Sequence, residues 1–369
     1  MRISLVNLTH GGFSGGYLKY LQQLVPRLLA HPDIDLQDVF IPEEARGAFE
    51  NQSWRFRTFQ ARQAGGILAL RRMVREGQPD LVFVPTQSLI DFGGVPTVVM
   101  VRNMEPLEVP FGGNPPSAIL KNLARGVMVR RACRRATRII AVSKHVRAFL
   151  TEHWSVAPEK VGVVYHGVGG SDVPASRRPA PLAALEGPFL FTAGSIRPAR
   201  GLIDIVEAMG RLRAIHPDLV AVVAGGIDYG MERHAQRLER RAAALGVADR
   251  IRRVGRLDAA AMRWCYEHAA AFVMTSRAEA CPNITLEAMS FGCACISVDQ
   301  PPMPEFFGDA AQYYRTGDAR QLADAIVRLL AEPDRARALR ASAVARASQF
   351  DWDHTARRTV EELKTALGR

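Results

Sequence analysis

Short apolar runs alternate with amphipathic stretches along most of the chain. Stretches with apolar residues every three or four positions predict helices at Tyr17–Leu29, Leu202–Ile215, Met231–Leu245 and Ala259–Ala269. The apolar runs predict strands at Ile3–Leu8, Leu81–Val84, Thr97–Val101, Arg138–Val142, Phe189–Ala193, Val220–Ala224, Ile251–Val254, Ala271–Met274 and Ala294–Val298. Because such alternation is typical of parallel sheets covered by helices on both faces, the sequence predicts an α/β fold with doubly wound parallel sheets.

The length of the chain favours two domains, since 369 residues exceed the roughly 250–300 that one hydrophobic core serves. The alternation breaks after His166-Gly167-Val168, in a stretch rich in Gly, Ser and Pro, and then restarts. We predict an N-terminal Rossmann-like domain (1–170), a linker (171–187), a C-terminal Rossmann-like domain (188–348) and a final helix (349–369) that packs back toward the first domain. Ligands of open α/β sheets bind at the carboxyl ends of the strands, so we expect the site in an interdomain cleft.

The charge and cysteine content narrow the environment of the protein. The formal net charge is +11, which favours an anionic partner such as nucleotide phosphate, anionic lipid or nucleic acid. The five cysteines contain no Cys-x-x-Cys pair and are interpreted as free thiols of a reducing compartment. The first apolar run is too short and polar for a signal peptide, and no run reaches the roughly 18 residues of a membrane span. We therefore expect a cytoplasmic protein.

Two glycine-rich loops follow predicted strands and precede predicted helices. The first runs from His10 to Gly16, and its glycines let the backbone approach a phosphate at a helix N-terminus. It matches neither the dinucleotide fingerprint nor a P-loop. The second runs from Gly194 to Gly201 and carries Arg197 and Arg200, which suit a diphosphate. A plain tight turn and two solvated arginines are the alternatives.

The segment from Glu279 to Gly292 combines two glutamates with the predicted start of a helix at Pro282-Asn283. Backbone N–H groups near Asn283, Ile284 and Thr285 would point out of this helix and favour an anionic diphosphate. Glu287 would accept hydrogen bonds from ribose hydroxyls, and Glu279 would touch the sugar. An ordinary amphipathic helix with two exposed glutamates is the alternative.

This segment resembles the Glu-x7-Glu motif of glycosyltransferase family 4, a retaining family with the GT-B fold of two facing Rossmann-like domains. Further similar segments occur in the family's order along the chain: Ala141-Val142-Ser143, Tyr165-His166-Gly167-Val168, Pro304-Glu305-Phe-Phe-Gly308-Asp309 and the Phe-Asp-Trp helix start near residue 350. The resemblance implies a glycosyltransferase that uses a nucleoside-diphosphate-sugar.

The resemblance also implies roles for individual residues of the C-terminal domain. Glu287 binds the donor ribose, and Glu279 lies near the reacting carbon of the sugar. Arg200 stands where the family usually has a lysine for the diphosphate. Ser195 stands where many members have an arginine, and Arg197 is expected to supply the missing charge. Gly255-Arg256 resembles the loop that touches the nucleobase, so Arg256 is a donor-binding candidate.

The N-terminal domain is expected to bind the acceptor, and the resemblance also places its Gly15 and Gly16 against the donor phosphate. Many relatives carry a histidine that approaches the sugar near Arg102-Asn103, so both residues are catalytic-site candidates. Arg102 stays protonated and cannot act as a base, but it can clamp a phosphate or an anionic acceptor. Whether it faces donor or acceptor is open.

No metal and no cofactor are expected. The patterns Asp33-Ile-Asp35 and Asp351-Trp-Asp353 match Asp-x-Asp, but their positions favour helix capping or solvation, and GT-B enzymes generally need no metal. Arginines and a helix dipole would then stabilise the leaving diphosphate.

The segment Lys121–Arg138 carries seven basic residues and no acid. Its predicted apolar face holds Met128, Val129, Ala132, Cys133 and Ala136. A basic amphipathic helix suits an anionic membrane surface, which would place the enzyme peripherally on the inner face of the membrane and suit a lipid-linked acceptor. A solvated face that covers the sheet is the alternative.

These patterns together predict a retaining sugar transfer to an acceptor hydroxyl, in bacterial cell-surface polysaccharide or lipid-linked glycan synthesis. Another GT-B enzyme, such as a sugar-nucleotide epimerase, is the first alternative. A phosphorylase would need a lysine for pyridoxal phosphate, and Lys364 is the only lysine after position 160. A non-catalytic nucleic-acid-binding protein is the second alternative, although no nucleic-acid motif is present and we expect no nucleic-acid partner.

Overall fold

The computed structural model describes residues 1–9, 15–63, 65–108, 112–169 and 174–369. Residues 10–14 of the first glycine-rich loop and 171–173 of the predicted linker lie outside this range. The strands are β1 (Arg2–Val6), β2 (Asp35–Pro42), β3 (Arg57–Phe59), β4 (Leu81–Val84), β5 (Thr97–Val101), β6 (Arg138–Ala141), β7 (Val161–Val163), β8 (Phe189–Ala193), β9 (Val220–Ala224), β10 (Ile251–Gly255), β11 (Ala271–Met274), β12 (Cys295–Val298) and β13 (Ala311–Tyr314).

Helices separate most of these strands. They are α1 (Gly15–Leu29), α2 (Gly66–Glu76), α3 (Glu105–Glu108), α4 (Pro116–Arg135), α5 (Lys144–Ala148), α6 (Ile203–Leu212), α7 (Glu232–Ala244), α8 (Ala259–His268), α9 (Asn283–Ser290), α10 (Met303–Phe307), α11 (Ala319–Ala331), α12 (Pro333–Ala347) and α13 (Trp352–Thr365). Short 3₁₀ turns and a π-helical turn, Phe149–His153, complete the regular structure of the described residues.

The chain divides into two compact units. The N-terminal unit comprises 1–104, 123–167 and 351–369. Its strands form one parallel sheet in the order β3-β2-β1-β4-β5-β6-β7. Strands β4 and β5 are buried along their whole length, as expected of a parallel sheet that is covered on both faces.

Helix α13 belongs to the N-terminal unit although it ends the chain. Its Trp352 packs against Tyr20 and His166, with ring centroids 6.1 and 6.4 Å apart. Glu362 forms a largely buried ion pair with Arg138 of β6, their side chains being 6% and 15% exposed. These contacts fix the terminal helix to the sheet at β6, the strand next to the edge strand β7.

The C-terminal unit comprises 105–122 and 168–350. Its parallel sheet has the order β10-β9-β8-β11-β12-β13, and strands β8, β9, β11 and β12 are fully buried. The short segment 105–122 precedes β6 in the chain and yet packs within this unit. The predicted α/β class with two Rossmann-like parallel sheets is confirmed.

The structure differs from the sequence prediction mainly at amphipathic or short strands. Strands β2, β3, β7 and β13 were not predicted, because they are only three residues long or mix polar and apolar positions. The expected apolar face of α4 is also corrected. Val129, Ala132, Cys133 and Ala136 are buried, but Met128 is 55% exposed because it lies on the outer side of the helix.

Candidate functional site

The loop between β8 and α6 is held against the loop after β11. Gly201 has a φ of +62°, and a Cβ there would lie 2.1 Å from the carbonyl oxygen of Thr275. The Thr275 hydroxyl donates to the carbonyl of Arg200 at 2.6 Å, and the Arg277 N–H donates to the carbonyl of Ala199 at 2.7 Å. This close approach, which a residue with a side chain would prevent, brings Arg200 beside residues 275–279.

Arg200 and Glu279, two of the predicted site residues, form an ion pair. Their side chains are 17% and 15% exposed, so solvent screens the pair only partly. Arg200 Nη1 also donates to the hydroxyl of Ser276 at 3.2 Å. The structure therefore joins the arginine predicted for the diphosphate to the glutamate predicted for the sugar.

Arg197 and Ser195 converge on a second carboxylate. The Ser195 hydroxyl donates to Asp228 Oδ2 at 2.8 Å, and Arg197 Nη1 lies 3.6 Å from the same oxygen. Arg197 also forms an ion pair with Glu105 of α3, which belongs to the same unit. Arg197 thus has two acidic partners, and a phosphate would have to compete with them.

Helix α9 starts at Asn283, directly after Pro282, as predicted. Its first turn contains Asn283, Ile284 and Thr285 and no acidic residue. The Thr285 hydroxyl is buried and finds no hydrogen-bond partner among the described residues. A helix start without acidic side chains keeps the positive end of the dipole available to an anion.

Glu287 lies one turn into α9 and contacts a buried tyrosine. The hydroxyl of Tyr266, on α8, donates to Glu287 Oε2 at 3.2 Å. Burial, reinforced by the negative charge of Glu287, raises the pKa of Tyr266 well above its ordinary value. Tyr266 therefore stays protonated and remains a donor to the carboxylate. Arg256, the predicted nucleobase-loop residue, is exposed directly after β10.

The remaining candidates lie at the carboxyl end of the N-terminal sheet. Gly15 and Gly16 open α1. The Arg102 guanidinium, just after β5, stacks over the ring of Tyr17 in the first turn of α1, with its carbon 3.5 Å from the ring centroid. The Asn103 N–H donates to the side-chain oxygen of Gln87 at 3.1 Å.

Among the described residues, Arg102 is a cation without a counter-charge. Burial lowers the pKa of Arg102, and no described carboxylate lies within ion-pair distance of its guanidinium. Stacking on Tyr17 offsets part of the free energy that the Arg102 guanidinium loses when it leaves water. A bound anion would offset the rest.

The two Asp-x-Asp patterns have structural contacts. Asp33 pairs with Lys364 at 2.6 Å, and this contact lowers the pKa of Asp33. Asp351 caps α13 by accepting from the His354 N–H at 2.6 Å, and Asp353 pairs with Arg27 at 2.6 Å. The described residues contain no cluster of three or more His, Cys, Asp or Glu side chains suited to a metal ion.

Sequence reasoning missed the partners of the site residues. Tyr266, Ser276 and Asp228 contact Glu287, Arg200 and Ser195, respectively. The Gly-Gly-Ile-Asp turn after β9 is a signal that could have indicated Asp228, because it is another polar loop at the carboxyl end of a strand. Tyr266 lies within an apolar helix and gives no such signal.

Comparison with family models gives two matches that together span most of the chain. A model described as "Glycosyl transferases group 1" matches residues 176–346. A model described as "Glycosyltransferase Family 4" matches residues 16–169.

Curated relatives at 28–29% identity include D-inositol 3-phosphate glycosyltransferases from three species. The match with the Frankia alni protein is 28% identical and covers 63% of this chain and 60% of the relative. The match with the Streptomyces scabiei protein is 29% identical and covers 66% of this chain and 57% of the relative. The match with the Thermobispora bispora protein is 29% identical and covers 74% of this chain and 64% of the relative. The matched region spans only 57–64% of these relatives' length.

Solved structures of similar fold match over the whole chain. Anabaena Alr3699/HepE, in complex with UDP and glucose, superposes with a TM-score of 0.79 at 18% identity, covering 99% of this chain and 100% of that one. The Thermosynechococcus elongatus sucrose-phosphate synthase superposes with a TM-score of 0.74 at 17% identity, covering 100% of this chain and 99% of that one. WaaG, a glycosyltransferase involved in lipopolysaccharide biosynthesis, superposes with a TM-score of 0.67 at 15% identity, covering 99% of this chain and 98% of that one. At these identities the likeness shows the fold, which is GT-B.

Proposed function

Because this chain belongs to the group 1 glycosyl transferases, we propose that it transfers a sugar from a nucleoside-diphosphate-sugar to an acceptor hydroxyl. The observation that carries the proposal is the grouping of Arg200, Glu279 and Ser276 on two loops that follow neighbouring strands of the C-terminal sheet. Ligands of such sheets bind at this edge.

The donor site that we propose lies in the C-terminal unit. Glu287 accepts hydrogen bonds from the ribose, and Arg256 lies beside the base. The diphosphate takes Arg200 and Arg197 as partners, together with the start of α9. Support comes from Alr3699/HepE, which has a similar fold and was solved with UDP and with UDP-glucose.

Donor binding requires an exchange of ion-pair partners. Arg200 now pairs with Glu279, and Arg197 pairs with Glu105. When the diphosphate takes over these arginines, the carboxylate of Glu279 is released toward the sugar. The arginines and the helix dipole then stabilise the charge that develops on the leaving diphosphate, and no metal ion is required for this role.

We propose that the transfer retains the anomeric configuration, by attack of the acceptor on the face that the diphosphate leaves. The donor phosphate would then help to take the acceptor proton. The resemblance to family 4 supports this mechanism. From the N-terminal unit, Gly15, Gly16 and Arg102 are proposed to receive a phosphate group, and Asn103 is proposed to contact the sugar. The half-buried guanidinium of Arg102 stacks on Tyr17 and has no carboxylate partner among the described residues, which supports a phosphate-binding role for Arg102.

The acceptor that we propose is a bacterial surface glycan or a lipid-linked glycan, reached at the cytoplasmic face of a membrane. Helix α4 supports this choice. Its large apolar side chains are 52–71% exposed at Leu120, Leu123, Val127 and Met128, and exposed lysine and arginine side chains accompany them. Exposed apolar groups among basic ones favour an anionic lipid surface. Among the residues that the structure describes, no helix combines the length and hydrophobicity needed to cross a bilayer.

A donor-hydrolysis assay tests the proposed activity. Many transferases slowly pass the sugar to water, so UDP, GDP or ADP release from the matching sugar nucleotides can be measured without the acceptor. We expect release with one nucleotide series, at least about 100-fold slower in Glu279→Gln, a loss of about 2.7 kcal/mol of transition-state stabilisation. Wild-type rates in Glu279→Gln would contradict the assigned role. Conversion of the donor to an epimer without release would favour the epimerase alternative.

A further inference from the structure

Tyr266 is enclosed by aromatic side chains and has no exposed surface. Phe191 and Phe272 pack against it in T-shaped arrangements, with centroids 5.1 and 5.7 Å away, and Phe291 stacks at 5.8 Å with an interplanar angle of 16°. Such packing leaves one ring orientation, since the interior is close-packed and core side chains occupy single rotamers. The position of the tyrosine hydroxyl is therefore fixed by the core rather than by its polar partner.

The Tyr266 hydroxyl donates a hydrogen bond to the Glu287 carboxylate, with 3.2 Å between Tyr266 Oη and Glu287 Oε2. A phenol has one proton to donate, and a carboxylate only accepts. The last torsion of a glutamate side chain is intrinsically broad. A hydrogen bond from an immobile donor to one carboxylate oxygen narrows that torsion and so fixes the direction of the other oxygen.

We propose that Tyr266 is a positioning residue that orients the Glu287 carboxylate for the ribose hydroxyls of the donor. Tyr266 thereby contributes to discrimination between ribonucleotides and deoxyribonucleotides. This inference rests on the proposed donor-binding role of Glu287. Tyr266 itself does not touch the ligand, because its ring lies inside the aromatic cluster and its hydroxyl faces Glu287.

The test compares ribo- and deoxyribonucleotide binding by calorimetry. The probes are UDP, GDP and ADP with their 2′-deoxy and 3′-deoxy analogues. The variants are Tyr266→Phe, Glu287→Ala and the double variant. Tyr266→Phe removes one oxygen and keeps the ring, so the aromatic cluster is preserved. Tyr313→Phe is the matched control, since its hydroxyl donates to the Gly308 carbonyl at 2.7 Å in the same unit.

We expect wild type to bind its ribonucleotide at least about tenfold more tightly than one deoxy analogue, which is the size of a hydrogen bond to a charged group. Tyr266→Phe should reduce this ratio to about threefold or less, and Tyr313→Phe should leave it unchanged. In the Glu287→Ala background, adding Tyr266→Phe should change the ratio no further, because the tyrosine acts through the glutamate.

An unchanged ratio in Tyr266→Phe, alongside discrimination by wild type that Glu287→Ala removes, would overturn the inference and leave the proposed function intact. A reduced melting temperature with an unchanged ratio would have the same meaning, namely a purely structural role. Failure of wild type to bind any nucleotide, or to discriminate, would instead overturn the donor-binding role of Glu287 and the inference with it.

Discussion

Replacing Gly201 by alanine should disturb both the fold and the donor site, because two costs combine at this position. Its φ of +62° is unfavourable for a residue with a side chain, by about 1–2 kcal/mol. The new Cβ would also lie 2.1 Å from the Thr275 carbonyl oxygen, so the backbone must move. The two hydrogen bonds that tie this loop to residues 275–277 would then weaken, at about 1 kcal/mol each.

The sum is about 3–4 kcal/mol, which corresponds to a fall in melting temperature of roughly 9 °C for a domain of this size. Gly230→Ala is the matched control, since Gly230 has a φ of +78° but no described atom within 4 Å of the position that a Cβ would take. This control has only the cost of the unfavourable φ and should lower the melting temperature by about 4 °C. Thermal unfolding of the full chain measures both. Because Arg200 moves with the loop, Gly201→Ala should also weaken nucleotide binding at least about tenfold.

Equal melting temperatures for the two variants would refute the reasoning. They would show that the loop relaxes without losing its contacts to residues 275–277. A fall in Gly201→Ala stability with unchanged nucleotide affinity would refute only the link between this loop and the diphosphate.

Four further perturbations have specific expected outcomes. Glu362→Gln leaves the largely buried Arg138 without its counter-charge and should cost about 3 kcal/mol in urea unfolding. With a thiol reagent at pH 8, the native protein should react rapidly only at Cys281, because the other four cysteines are buried. Burial raises the pKa of the Cys133, Cys265 and Cys293 thiols to about 12, whereas an unfolded cysteine titrates near 8.5. The stability that these protonated thiols contribute is therefore complete below about pH 8.5 and is lost as the pH rises toward 12. The free energy of unfolding at pH 7, 9 and 11 measures this loss. Leu123→Glu should reduce binding to vesicles that contain phosphatidylglycerol at least about tenfold, because it puts a charge on the exposed apolar side of α4.

Each of these expectations has a control and a contradicting result. Asp334→Asn removes an exposed partner of Arg337 and should cost less than about 0.5 kcal/mol, so equal costs for the two ion pairs would contradict the burial argument. Five equally reactive thiols, or stability independent of pH up to 11, would contradict the burial of the cysteines. Leu68→Glu changes a leucine that is 66% exposed on α2, and an equal loss of vesicle binding would contradict the role of α4.

The central strands of both sheets could be predicted from the sequence because they are buried on both faces. A strand such as Val220–Ala224 has no polar position, and its apolar run has the same bounds in the structure. Strand β2 begins with alternating exposed positions and β3 has three residues, so neither stands out from a loop. Pairing with a neighbour, which the sequence does not record, makes them strands.

In the candidate site, too, features set by local sequence could be predicted, whereas contacts between separate elements could not. Glycine and proline indicated where the loop before α6 and the start of α9 lie, because these residues respond to local backbone geometry. The partners of the charged groups depend on distances between separate elements. Glu105 reaches Arg197 across 92 positions of sequence, and Tyr266 reaches Glu287 across 21. No local pattern encodes either contact.

Nucleotide binding at Glu287 is tested most directly by a thermal-shift panel of UDP, GDP, ADP and their sugar conjugates on wild type and Glu287→Ala. A ligand at about 100 times its Kd adds about 2.7 kcal/mol to stability, enough for a clear shift. The proposed donor site predicts a shift with one nucleotide series, lost in Glu287→Ala while the variant alone melts within a few degrees of wild type. Absence of a shift with every nucleotide, or the same shift in Glu287→Ala, would contradict it.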